Sequence, residues 1–269
     1  MKPIRRIREK ERRELFARLE DRFRQGEYEE VEATARALAE GARRAWRKRP
    51  LPERQARTLA TMVAVAHGRQ AEVLGELETL IAELEPVDVE TQVLRLVVRR
   101  NRLVVLSGLE RYEEAEREAL DILGEISRLA HLITLSKLEL SALGLLAGAL
   151  CGQGRFEEAE AIARGNLSRA DDGAAAPRVT LARSLNGQGR YEEALTEVRG
   201  VTPPRDRKDS GLLDLVTAEA LLGAGRRAEA EAAVRRALAD CERSLHPAHP
   251  RIGRARAVLA RVTGEEPRP

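Results

Sequence analysis

The stretches GRFEEAEAIA at residues 154–163 and GRYEEALTEV at residues 189–198 nearly repeat each other, 35 residues apart. One copy carries little meaning, but two prompt a search for internal repeats before any local structure is assigned. Weaker copies begin at Gly26 (GEYEEVEATA), Gly68 (GRQAEVLGEL), Glu110 (ERYEEAEREA, with Glu in the Gly place) and Gly225 (GRRAEAEAAV). The six starts are spaced by 42, 42, 44, 35 and 36 residues. Such a period belongs to arrays of helical repeats.

Each copy has a physical reading. The Gly ends one helix in the left-handed conformation that only Gly adopts cheaply. The aromatic two residues on (Tyr28, Tyr112, Phe156, Tyr191) starts the next helix and is placed to pack back on the preceding one. The Glu pair falls in a first helical turn, where the macrodipole favours negative charge. Five residues after the Gly stands a small residue (Ala115, Ala159, Ala194, Ala230) that lets two helices approach closely; Val31 and Val73 replace it in the first two copies, where close approach does not follow from the sequence. Before each Gly runs Leu-small-x-x-Leu, as in Leu146, Ala147 and Leu150 or Leu181, Ala182 and Leu185. This is an amphipathic helix with a small contact point, so one unit reads helix, turn, helix.

The pattern resembles the tetratricopeptide repeat family, whose hairpins carry Leu-Gly/Ala in the first helix, a Gly-x-Tyr turn and a small residue early in the second. The longer spacings, and His246-Pro247-Ala248-His249-Pro250 before a last helix, are similar to the longer-helix variant of kinesin light chains and many bacterial relatives. The resemblance implies an all-α, right-handed solenoid of about six hairpins plus a capping helix. As one domain over 1–263 it divides into units at 1–50, 51–87, 88–130, 131–173, 174–209 and 210–247, a cap at 248–263 and a disordered tail at 264–269.

Composition agrees: 43% hydrophobic, 34% charged and 3% aromatic residues, dominated by Ala, Leu, Glu and Arg, are the makings of helix. Basic charge is carried by Arg, with Lys only at Lys2, Lys10, Lys48, Lys137 and Lys208, a bias that suggests a high-GC bacterial genome of the actinobacterial kind. No apolar run is long enough for a membrane span. The N-terminus has basic residues without an apolar segment, unlike a secretory signal. Cys151 and Cys241 make no disulfide framework, and a cytoplasmic protein is expected.

Catalytic constellations are missing. The Glu pairs repeat at one place in each unit, which marks them as helix starts rather than acid–base dyads. His246 and His249 read as a stiff connection, with no further ligands for a metal. Cys151 has no recognisable His or Asp partner. No enzyme activity, cofactor or metal is expected. Residues 1–50 carry net charge +6, and Trp46 lies among five basic residues in ARRAWRKRP (42–50). No DNA-reading motif accompanies them, so nucleic acid is not the expected partner.

The resemblance leaves the concave face, lined by the first helices, as the place for a protein or peptide partner. Counting back from each turn assigns Val97, Arg100, Val104 and Ser107 to it in the third unit. Ser141, Gly144, Gly148 and Cys151 follow in the fourth, Val179, Arg183 and Asn186 in the fifth, and Leu212, Leu215, Glu219 and Leu222 in the sixth. Arg100, Arg183 and Asn186 are the expected grips, and Gly144 and Gly148 would leave room for a ligand backbone. The paired Lys and Asn that the family uses to clamp chaperone tails are absent. The expected function is a scaffold or adaptor. The alternatives are a peptide-sensing regulator and an enzyme with a pocket built into the repeats.

Overall fold

The computed structural model describes residues 9–45, 51–66, 68–169, 175–201 and 209–264. Among them are thirteen helices and no strand, an α-solenoid of hairpins. The pairs are α1 (Glu9–Gln25) with α2 (Tyr28–Ala45), α3 (Leu51–Ala66) with α4 (Gln70–Glu83), and α5 (Val89–Gly108) with α6 (Tyr112–Leu129). Then come α7 (Ser136–Gly152) with α8 (Phe156–Leu167), α9 (Ala175–Gly187) with α10 (Tyr191–Arg199), and α11 (Leu212–Gly223) with α12 (Arg227–Ser244). A single helix, α13 (Pro250–Thr263), follows. Trp46 and most of the basic run around it, His67, the Asp171-Asp172-Gly173 break, the Pro203-Pro204 loop and the tail from 265 lie outside the described residues. No helix among the described residues is long and apolar enough to cross a membrane.

The six turns repeat one geometry. Gly26, Gly68, Gly154, Gly189 and Gly225 have φ between 75° and 82°, and Glu110, in the Gly place, has φ 59°. In each, the N–H after the left-handed residue donates to a carbonyl five residues back: Arg155 to Leu150, Arg190 to Leu185 and Arg226 to Leu221, all at 2.9 Å. This closes the helix end by satisfying an orphan carbonyl. The small residues that follow (Ala115, Ala159, Ala194, Ala230) are fully buried, as is Val31.

The aromatic residues correct one expectation. Tyr28 does pack back, its ring 5.3 Å from that of Phe23. The rings of Tyr112, Phe156 and Tyr191 instead lie on glycines of the following hairpin. A Cβ added at Gly152 would stand 2.4 Å from the Tyr112 ring, one at Gly187 2.2 Å from Phe156, and one at Gly223 2.2 Å from Tyr191. Each glycine sits two residues before a turn, at the end of a first helix, and admits the ring only because it has no side chain.

A polar ladder runs beside these contacts. The residue after the left-handed turn residue is Arg in five of the six copies, at a helix N-terminus where the macrodipole opposes positive charge. Arg111, Arg155, Arg190 and Arg226 each clamp the Glu three residues on, at 2.6–2.8 Å. Arg155 also reaches Glu116 of the preceding hairpin at 2.7 Å, and Arg190 reaches Glu160 at 2.7 Å. Gln153 and Gln188 donate to the same two carboxylates at 2.8 and 2.7 Å. Burial works to raise the Glu160 carboxyl, but Gln188, Arg164 and Arg190 outweigh it and the net shift is downward. In the sixth hairpin the ladder breaks: Leu195 stands where Glu is needed, and Arg226 comes only within 3.9 Å of Glu192.

The described residues up to Arg102 form one compact unit and those from Leu103 onward a second. The first has a core of Leu19, Phe23, Tyr28, Val31, Leu59 and Val63, with Ala66 packed against it. In the second, α7 touches α9, α9 touches α11 and α11 touches α13, so the odd-numbered helices form one continuous layer. Helix α13 joins that layer and packs on α12, burying Ile252, Ala255, Val258 and Val262.

Candidate functional site

The odd-helix layer of the second unit presents the face that the sequence singles out. Three and six residues before successive turns stand Cys151 and Gly148 on α7, Asn186 and Arg183 on α9, and Leu222 and Glu219 on α11. A Cβ at Gly148 would meet nothing within 4 Å, and one at Gly144 only Nδ2 of Asn166 at 3.9 Å. Packing therefore demands neither glycine, unlike Gly152, Gly187 and Gly223. A Gly inside a helix costs about 1 kcal/mol relative to Ala, so α7 carries two destabilising residues that leave its face bare.

Arg183 has no hydrogen bond or ion pair among the described residues. Burial lowers its pKa, Arg254 adds to that, and Cys151, Glu219 and Tyr112 oppose it. A guanidinium stays charged nonetheless. Burial pushes the Cys151 thiol up, against the pull of Arg183 and Arg254. Glu219 does not face the groove alone: Arg254 of α13 grips it with two hydrogen bonds, at 2.7 and 2.9 Å. Arg251, one turn earlier on α13, donates to the Ser210 carbonyl at 2.8 Å, and burial lowers its pKa too.

Asn186 has a different task from the one its position suggests. Its Nδ2 donates to the Val216 carbonyl on α11 at 3.1 Å, and its Oδ1 is enclosed without a partner. It ties two first helices together, and a ligand reaches it only by displacing that contact. Val179 and Leu215 leave the face as well. Both are buried in the core that α9, α11 and α13 share, where a large apolar side chain gains more from its neighbours than from a groove. Arg100, in the first unit, is half-buried and donates to Asn101 at 3.3 Å. In the second unit Val104 is half-buried, and Ser107 keeps its Oγ buried without a partner.

The two histidines before α13 act on backbone. Nδ1 of His246 accepts from the Ala248 N–H at 3.2 Å, and Nδ1 of His249 accepts from the Arg251 N–H at 3.1 Å, capping the helix. Among the described residues no group of three or more His, Cys, Asp or Glu is placed to hold a metal. A cavity of about 370 Å³ opens between α10, α11 and α12, lined by Leu195, Val198, Leu213, Thr217 and Glu229 among others. It lies away from the odd-helix face. Sequence reading missed Arg251 and Arg254, although their spacing puts both on one side of α13.

The sequence model of the tetratricopeptide repeat family matches residues 140–170 and 218–251. The crystal structure of a tetratricopeptide repeat protein from Parabacteroides merdae is similar in fold, with a TM-score of 0.54 and 14% identity. The match covers 94% of this chain and 85% of that one. No curated protein matches the sequence.

Proposed function

The chain carries tetratricopeptide repeats, and from that premise we propose that it is a non-catalytic scaffold or adaptor. It holds a peptide segment of a protein partner along the odd-helix face of its second unit. Repeats of this kind generally mediate protein–protein interaction. The observation that carries the reading is the bare stretch of α7 at Gly144 and Gly148 beside an Arg183 guanidinium that no described residue satisfies. A peptide backbone fits where a Cβ would meet nothing.

Capture of a partner on immobilised protein from native extract, followed by titration of purified variants, tests this. Gly148→Leu is expected to fold and to lose the partner, because its side chain fills the open space. Arg183→Ala is expected to weaken binding by about 1–3 kcal/mol, the range for truncating a group buried on binding. A partner that binds both variants as tightly as the wild type removes this face from consideration. Asn186 is a poor probe: its loss breaks the tie to Val216, which costs stability of about 1 kcal/mol on its own.

A further inference from the structure

The joint between α10 and the last hairpin keeps its arginines but lacks the carboxylate they would share. One repeat earlier two arginines converge on Glu160. Arg190, from the following turn, reaches its Oε2 at 2.7 Å, and Arg164, one turn further along α8, reaches its Oε1 at 2.8 Å. Both arginines recur at the later joint, as Arg226 and Arg199, but Leu195 stands in the place of Glu160. Arg226 gives its Nε and Nη2 to Glu229 at 2.8 and 2.6 Å, and its Nη1 has only Glu192, at 3.9 Å. Arg199 is exposed and has no partner among the described residues.

The cavity of about 370 Å³ opens at this gap. Arg199, Arg226 and Leu195 all line it, and Val198, Leu213 and Leu221 complete an apolar wall. Four carboxylates also reach it, each with a positive or N–H partner of its own. Glu229 holds Arg226, Asp214 accepts from Arg236 at 2.9 Å, and Asp240 accepts from the Gly211 N–H at 2.8 Å and from Arg243. Asp209 acts on Arg251 of α13. A concave apolar wall with a few placed polar groups is the usual form of a small-molecule site. Arginine is the side chain that best matches a carboxylate in shape and strength.

We propose that this cavity binds a small aliphatic carboxylic acid. Its carboxylate takes the place that Glu160 fills one repeat earlier, one oxygen toward Arg226 and the other toward Arg199. Its chain lies against Leu195, Val198, Leu213 and Leu221. The ligand thereby completes the joint, tying α10 to the first turn of α12, and stabilises the folded chain in proportion to its occupancy. The site lies away from the odd-helix face and does not depend on the groove reading.

Straight-chain acids from acetate to decanoate, each with its amide as the neutral control, test this by calorimetric titration of the full chain. The acids are expected to bind at one site and to raise the melting temperature. Each added methylene should tighten binding about fourfold until the cavity is full, and the amides should not bind measurably. Arg199→Gln removes a side chain with no partner, so the free protein should melt unchanged while acid affinity falls about fivefold, the loss of one close charge pair near water. Leu195→Glu supplies the carboxylate from the chain itself. It is expected to abolish acid binding, and if it fails to fold, Arg199→Gln decides alone.

Amides that bind as tightly as acids, no acid bound at millimolar concentration, or wild-type acid affinity in a folded Arg199→Gln each overturn the proposal. A blocked peptide with one Glu that binds here where the free acids do not assigns the gap to a protein partner and overturns it too. Gly148→Leu, which tests the groove, should leave acid binding intact, so the two readings fail separately.

Discussion

At the scale of single residues, the fold tolerates one local misfit and depends on one unusual cap. Glu110 adopts the left-handed conformation that five glycines fill elsewhere. Glu110→Gly is expected to raise stability by about 0.5–1 kcal/mol, the strain relieved less the extra freedom of Gly in the unfolded chain, measured as an upward shift of the denaturation midpoint. His249 caps α13 through a neutral imidazole, and burial, with Arg251 and His246, lowers its pKa from 6.5 to about 4. Its contribution is fully present above the unfolded value. It falls as the pH drops from 6.5 toward 4, because the unfolded chain takes up a proton that the cap excludes. The loss amounts to ~2–3 kcal/mol over that window. Amide exchange in α13 should rise with acid in the wild type and stay flatter in His249→Ser, whose hydroxyl caps without titrating.

At the scale of helices, glycines of the same composition have opposite roles. Gly187→Ala drives a methyl into the Phe156 ring and is expected to cost about 1–3 kcal/mol by overpacking. Gly148→Ala meets nothing and should stabilise by about 1 kcal/mol through helix propensity alone. Thermal denaturation of the two variants checks both signs, and a loss in both would mean that α7 is covered where the structure leaves it bare. The hairpins and turns were legible in sequence because a turn glycine and its neighbours act within ten residues of one another. The contacts between hairpins were not: Arg155–Glu116 and Arg190–Glu160 join residues 39 and 30 apart, and their pairing exists only once the hairpins stack. The same holds for the site. Gly148 and Arg183 follow from counting back from a turn, whereas Arg251 and Arg254 sit on α13, which ends the array without a repeat turn to count from. Asn186 was placed on the right helix but given to a ligand instead of to Val216, since one chain cannot say which neighbour will take a side-chain amide.

At the scale of the whole molecule, the joints between hairpins differ in how complete they are. The step from α8 to α9 and on to Arg190 contains the full set: ring on glycine, Gln and Arg on Glu160. The next step keeps the ring on Gly223 but has lost the Glu and the Gln, with Leu195 and Ala224 in their places. Residues 155–189 therefore hold every partner that such a joint needs, at both of their ends. A second copy of them placed after Gly189 would set a new Arg155 against the first Glu160, and its own Glu160 against Arg190. Such a chain is expected to gain two helices and to melt at no lower temperature, whereas a duplicated 190–225 should melt lower for want of the ladder; calorimetry distinguishes them. In the gene, this joint is a place where unequal recombination can add or delete 35 codons without asking any other residue to mutate. On these contacts a change of array length is expected to be tolerated at this joint and to cost stability one repeat later.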